Sequence, residues 1–307
     1  MMTAEDAAAR PAPRTTVCGH APSMSPARGF PGDGFAVMSS GMDAPAQAAA
    51  TDLAWRIERA EAEQLARTGP PGRAAACELA GGLAVFKGSG SPFSACIGAG
   101  LSGRVDGAEV DAVEVHLAGG PIRFEVAAPA HGSLGFELSR RAYRLERQLL
   151  VWHRRLGGEA PLPAAPRGAT ARPIRDGEEQ EWVEVFARSF FGRPPGSAAA
   201  VAALLAMTTA SGNTCFGAFR GGTLVGVGVV SSHLGIATLT GAGVPPEHRG
   251  QGLQLVLVRA RLAWAAAHGL ADAAAVTAPG TASQRTLERA GFRCAYPKVV
   301  LARELPS

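Results

Sequence analysis

The stretch VPPEHRGQGLQLVLVRARLAWAAAHG, residues 244–269, runs from a β-like segment through a proline pair and a glycine-rich turn into a long helix. A helix N-terminus exposes unpaired backbone N–H groups and carries a partial positive charge. Ordinary helices answer it with Ser, Thr, Asp or Asn at the cap and with acids in the first turn. Here those positions hold Arg249, Gly250, Gln251, Gly252, Leu253 and Gln254. The glycines let a ligand approach the backbone, and the arginine adds a donor. Such a terminus suits an anion, phosphate above all. The alternative is a flexible turn whose N–H groups face water, because short glycine patterns recur by chance.

Outward from this point, the second half of the chain reads as alternating strands and helices. ARPIRDGEEQEWVEVFARSFFG (171–192) is a short strand and then a helix from about 177 to 191, and a second helix follows near 196–209. TCFGAFRGGTLVGVGVVSSH (214–233) is a hairpin with Gly221–Gly222 at its turn. IATLTGAGV (236–244) is a strand that leads into the glycine turn. After the long helix come the strand DAAAVTAP (272–279), a helix over about 282–289, and a strand pair from Arg293 to Arg303.

The first half ends in the same way. FEVAAP (124–129) parallels AAVTAP (274–279), Tyr143 parallels Phe292, and Arg144 and Arg154 match Arg293 and Arg303. These matches point to an internal duplication of one α/β unit. One difference is informative. The first copy has SGRVDGAEVD where the second has PPEHRGQGLQ, so Asp106, Glu109 and Asp111 fill the helix start and would repel a phosphate. Within this copy, helices are expected from Asp52 to Arg67, from Asp106 to Val115 and near 131–142. Strands are expected within 73–87, 92–100 and 121–129, with a strand pair from Tyr143 to Leu156. Residues 1–48 read as a disordered tail of Ala, Pro, Gly, Ser and Met. The Pro/Gly/Ala-rich stretch 158–171 reads as a linker. The domains expected are therefore 49–157 and 172–307.

Composition limits the function classes. The 307 residues allow one or two domains. A net charge of +4, without a long Lys/Arg cluster, does not suggest nucleic acid. The five cysteines are scattered, with no CxxC and no metal-ligand spacing. A dispersed, odd set fits a reducing compartment, and no apolar run is long enough to span a membrane, so a cytoplasmic location is expected. No metal is expected.

The order strand, VxPxxRGxG, long helix, strand and then SQRTLERAGF (283–292) resembles the GCN5-related N-acetyltransferase (GNAT) superfamily over about residues 170–307. Arg249, Gly252 and Gln254 resemble the family's Q/R-x-x-G-x-G/A loop, and Gly291–Phe292 the "GF" after its last helix. The whole chain is similar to the tandem form, in which a degenerate N-terminal copy accompanies an active C-terminal one. The resemblance implies an α/β (α+β) fold of two GNAT-like domains, each a mixed, mainly antiparallel sheet flanked by helices. It also implies acetyl transfer from acetyl-CoA to a primary amine, with a small molecule ahead of a protein amino terminus as acceptor. Strand cysteines with no histidine adjacent in sequence point to direct transfer, and the matching ends of the copies place the acceptor in the cleft between them. Backbone N–H groups of Arg249, Gly250, Gln251, Gly252, Leu253 and Gln254 would hold the pyrophosphate. Ala242, Gly243 and Val244 would pair with pantetheine beyond a bulge, and Val244 N–H would polarise the thioester.

Two departures stand out. Gln254 replaces a small residue, which is tolerable if its side chain points away. Leu287 occupies the position where the family often carries a tyrosine acid. Ser283 and Tyr296 are the substitutes in that role, with Thr286 beside them. His233 is the candidate base, although a solvent-facing histidine at a strand end explains it better. Glu181 and Glu184 lie where acceptor-binding residues often fall, and a solvated helix face explains them equally well. Trp264 reads as core. A non-catalytic acyl-CoA binder or sensor is the alternative function.

Overall fold

The computed structural model describes residues 44–67, 76–89, 91, 93–157, 166 and 168–304. The tail reading for residues 1–43 and most of the linker reading lie outside these. Helix α1 (Ala44–Arg67) already begins inside the stretch assigned to the tail. The first half continues with β1 (Ala76–Leu79), β2 (Gly82–Val85), β3 (Ala95–Ile97), α2 (Gly107–Leu117), β4 (Ile122–Ala127), α3 (Gly132–Arg140) and β5 (Arg144–Arg155). The second holds β6 (Ala169–Pro173), α4 (Glu179–Phe191), α5 (Ala198–Thr209), β7 (Asn213–Arg220), β8 (Thr223–His233), β9 (Ile236–Gly243), α6 (Leu253–Ala267), β10 (Asp272–Thr277), α7 (Ala282–Arg289) and β11 (Arg293–Arg303). The expected linker is shorter than read, because β6 starts at Ala169.

Among the described residues, eleven strands form one sheet in the order β1-β2-β3-β4-β11-β5-β10-β9-β8-β7-β6. It is mainly antiparallel, with one parallel pair in each half, β3 with β4 and β9 with β10. The two expected sheets are therefore merged. The last strand of each half crosses into the other: β11 pairs with β4, and β5 pairs with β10. The two crossing strands pair antiparallel with each other, Arg293 facing His153 at one end and Arg144 facing Ala302 at the other. That register is nearly self-consistent under exchange of the halves, so a pseudo-twofold axis runs between β5 and β11. Each crossing strand is one long element rather than the expected strand pair, because it has a partner on both sides along much of its length. Tyr143 and Phe292 lie just before β5 and β11 and are buried in the cores of their own halves.

Neighbouring residues on the strands divide between the two faces, as the pleat requires. Phe216, Val230 and Ala273 pack under α6 and α7, while Cys215 and Val229 pack under α4 and Ala274 under α1. Trp182 of α4 is fully buried and donates Nε1–H to the Phe216 carbonyl at 3.0 Å, and truncating a side chain of this size in a core costs about 3–5 kcal/mol. Trp264 packs at the margin of the α6 core, as read from its spacing, and stacks on His268.

Helix α1 ties the halves together. Arg56 donates to the Leu234 carbonyl and to the buried carboxylate of Asp272, at 3.0 and 3.2 Å. Gln64 donates to Thr240 Oγ1 at 2.8 Å. Beneath the helix, Lys298 of β11 is buried among Glu58, Glu61 and Glu125. Burial, opposed by Lys298, raises the Glu58 carboxyl to about 7. Among the described residues, no helix is long and apolar enough to cross a membrane.

Candidate functional site at the mouth of helix α6

Strand β9 sets the geometry. It pairs with β10 only from Ile236 to Thr238 and then leaves it. On its other side the β8 register slips between Val227 and Val229, so that Thr240 faces Val229 but Gly243 faces Val227. The extra residue is accommodated at Gly241, whose φ of 56° lies in the left-handed region. The end of β9 therefore turns an unpaired edge toward the gap beside β10. Gly243 is required there, since a Cβ would stand 2.5 Å from Ser189 Cβ on α4.

The chain then passes Pro245 into a single 3₁₀ turn, Pro246–His248, and reaches α6 through Gly250 and Gly252, both at φ 75°. Gly252 is the N-cap; no side chain caps the helix and no acid lies in its first turn. The loop's one acid, Glu247, is paired with Arg188 of α4. In the first half the equivalent terminus is closed. Asp106 and Glu109 form a reciprocal capping box, each side chain accepting from the other's N–H at 2.8–3.0 Å. The loop between β3 and α2 is also stitched down, because His131 N–H donates to the Gly100 carbonyl at 2.8 Å.

A cavity of about 550 Å3 opens between the end of β9, the loop, and the start of α7. It brings together Ala242, Gly243, Val244, the whole loop from Arg249 to Gln254, and Ser283. Its charged lining is basic, with Arg249, Arg285 and Arg289 and no carboxylate. Ser189, Phe190, His248, Arg285 and Arg289 also line it and escape the sequence reading. The two α7 arginines sit one turn apart beside Ser283, a spacing in the sequence by which they could have been found. Phe190 stacks on Phe186 at 4.5 Å and stays half exposed at the rim. Glu181 and Glu184 are exposed and do not line the cavity.

Several candidates take positions other than those expected. Arg249 does not reach outward as a free donor. Its Nε and Nη2 donate to the carbonyls of Val244 and Ser189, both at 3.0 Å, and so fasten the loop to β9 and α4. Gln254 turns inward, and its Nε2 donates to the Ala242 carbonyl at 3.2 Å, covering one of the strand-edge groups. His233 lies opposite Ile236 at the turn end of the β8–β9 hairpin, about 23 Å of extended strand from Gly243 at the cavity. There its Nδ1 accepts from Arg67 Nη2 at 3.2 Å, and its pKa is lowered by burial and by Arg67 and Arg59. Tyr296 is buried under α1, and its hydroxyl donates to Glu58 Oε1 at 2.9 Å. Burial and Glu58 push that hydroxyl's pKa far up. Neither His233 nor Tyr296 reaches the cavity. Thr286 lines it, but its hydroxyl donates to the Ala282 carbonyl at 3.0 Å, and Leu287 is buried in the α6–α7 core.

A mixed sheet that splays beside an acid-free helix terminus gives the second half an open terminus of the kind that suits an anion. Residues 179–292 match the acetyltransferase (GNAT) family. No curated protein sequence matches the chain. Among solved structures it is similar to a GCN5-related N-acetyltransferase from Kribbella flavida, at 16% identity and a TM-score of 0.59, over 83% of this chain and 96% of that one. It is similar also to a tandem GNAT protein from the clavulanic acid biosynthesis pathway, at 16% identity and 0.52, over 85% and 96%. A third likeness is to a GCN5-related N-acetyltransferase from Sphaerobacter thermophilus, at 21% and 0.52, over 64% and 67%. At these identities the likeness is one of fold, and the fold is that of tandem GNAT proteins.

Proposed function

We propose that the chain transfers an acetyl group directly from acetyl-CoA to a primary amine of a small molecule, using only its C-terminal half. The observation that carries this reading is the acid-free N-terminus of α6 set beside the splayed end of β9. Backbone N–H groups from Gly250 to Gln254 take the pyrophosphate, with Arg285 and Arg289 adding positive charge. The free edge of β9 pairs with the pantetheine arm, and the Val244 N–H polarises the thioester carbonyl. The amine, entering past Ser189 and Phe190, attacks that carbonyl. The carbon–sulfur bond breaks, the thiolate leaves with CoA, and the amine's proton passes to water. Catalysis on this account is mostly positioning.

The direct route is supported by the cysteines. Cys215 is buried and its thiol is pushed up to about 12, Cys294 is exposed but also raised by burial, and neither lines the cavity. Of the cavity hydroxyls, those of Ser189 and Thr286 donate to carbonyls of their own helices, and Ser283 is exposed on α7. Among the described residues, no group of three or more His, Cys, Asp or Glu could hold a metal ion.

The test is CoA-thiol release from acetyl-CoA across a panel of small primary amines. The reading expects amine-dependent release with acetylated amine as the second product. Tight acetyl-CoA binding without release for any amine would favour a non-catalytic acyl-CoA sensor, the reading that the absence of a tyrosine at Leu287 supports.

A further inference from the structure

Arg261 of α6 is buried to 1% exposure, the second largest of the fully buried side chains. Among the described residues it has no carboxylate partner, and burial alone acts on its pKa, which falls to about 9. A guanidinium taken from water without a counter-ion is expensive, and an apolar side chain of similar length would fill the space more cheaply. What it has instead is carbonyls. Nε donates to Leu257 of its own helix at 3.1 Å, and Nη1 donates to Val229 at 3.0 Å and Thr240 at 3.2 Å.

Those last two residues face each other as the final pair of the β8–β9 ladder before the bulge. One buried cation thus clamps both strands at the point where β9 changes register. The strand is shaped to receive it. A Cβ on Gly228 would lie 3.1 Å from Arg261 Cζ, so glycine lets the planar group lie against the backbone. After Thr240 the chain continues with Gly241, with its left-handed φ, then Ala242 and Gly243 at the end of β9 and Val244 just beyond it, the last three at the cavity.

We infer that Arg261 is a positioning residue for acyl transfer: by holding the Val229 and Thr240 carbonyls it fixes the bulge, and through the bulge the strand edge that meets the thioester. The inference rests on the acyl-CoA reading above. It separates two parts of the ligand, because the nucleotide end meets the mouth of α6 while the pantetheine arm and thioester meet the edge of β9.

The experiment compares two ligands by calorimetry on the full chain, acetyl-CoA and 3′-phosphoadenosine diphosphate, which lacks the pantetheine arm. Arg261→Met should leave the nucleotide's affinity within about twofold and weaken acetyl-CoA at least about tenfold. Arg261→Lys, which keeps a charge and donors, should recover part of the difference. If the methionine variant does not fold, Gly228→Ala serves instead. It displaces the guanidinium by a few tenths of an ångström and should give the same split in milder form. Equal weakening of both ligands, or no change in either, overturns the inference and reduces Arg261 to a fold-stabilising residue. A wild-type chain that binds neither ligand overturns the acyl-CoA reading, and this inference falls with it.

Discussion

Alanine at Gly250 and at Gly252 should weaken acetyl-CoA binding by different amounts. Both residues hold φ 75°. An L-residue in that region costs about 1–2 kcal/mol. Taken on the loop conformation that binds, this corresponds to about 5- to 30-fold in the dissociation constant. For Gly250 the estimate ends there, because nothing lies within 4 Å of the added Cβ. At Gly252 the Cβ would stand 2.7 Å from Pro166 Cγ, so the ring or the loop must also move. The loop carries the donors, and shifting the N-cap turns the first-turn N–H groups away from their common target. Gly252→Ala should therefore bind more weakly than Gly250→Ala. Gly252→Glu, which adds a carboxylate at the helix mouth, should bind at least about tenfold more weakly than wild type. Calorimetric titration of the three variants, with urea melts to separate loss of fold from loss of binding, is the assay. Equal effects of the two alanines, or wild-type affinity in Gly252→Glu, would refute the argument that this backbone is the ligand surface.

Gln254→Ala frees the Ala242 carbonyl at the strand edge. A net hydrogen bond is worth about 0.5–1.5 kcal/mol, so acetyl-CoA should bind about two- to tenfold more tightly in titration, and weaker binding would mean that the carboxamide itself grips the ligand. Glu58 has its carboxyl raised to about 7 from 4.5, so its protonated form is the one the fold favours. That contribution is complete below pH 4.5 and is lost as pH rises through 7. Glu58→Gln should flatten the decline in chemical-denaturation stability over this window, whereas parallel profiles for variant and wild type would count against the assignment. Intact-mass measurement after incubation with acetyl-CoA and no amine should find no stoichiometric acetyl adduct, and a chemically competent adduct on Ser283, Cys215 or Cys294 would require a covalent route.

The parts of the fold legible in the sequence are those that local chemistry dictates. The Gly221–Gly222 hairpin, the Asp106 cap, α7 and the acid-free mouth of α6 follow from residues a few positions apart. The repeat located β4 and β10 in their halves. Alternation along β5 and β11 does not encode which strand lies alongside, so the crossing of the halves and the single sheet were hidden. The same limit applies to side chains. Tyr296 and Glu58 are separated by 238 positions, and only the packing of α1 joins them. His233 and Gly243 belong to one hairpin but to its opposite ends, a distance that sequence adjacency conceals. The roles of Arg249 and Gln254 depended on where their long side chains turned. The loop from Arg249 to Gln254 was read from turn chemistry and Ala242–Val244 were implied by the family resemblance, and both line the cavity.

The most direct test of the account is the number of acetyl-CoA molecules bound per chain. The capping box of Asp106 and Glu109 and the stitched Gly100 loop close the helix start of the first half that corresponds to α6, while Gly252 leaves α6 open. Calorimetric titration of the full chain should give one acetyl-CoA per chain, with that single event lost or weakened at least about tenfold in Gly252→Glu. A stoichiometry of two, or one site that Gly252→Glu leaves untouched, would contradict the claim that the mouth of α6 is the site.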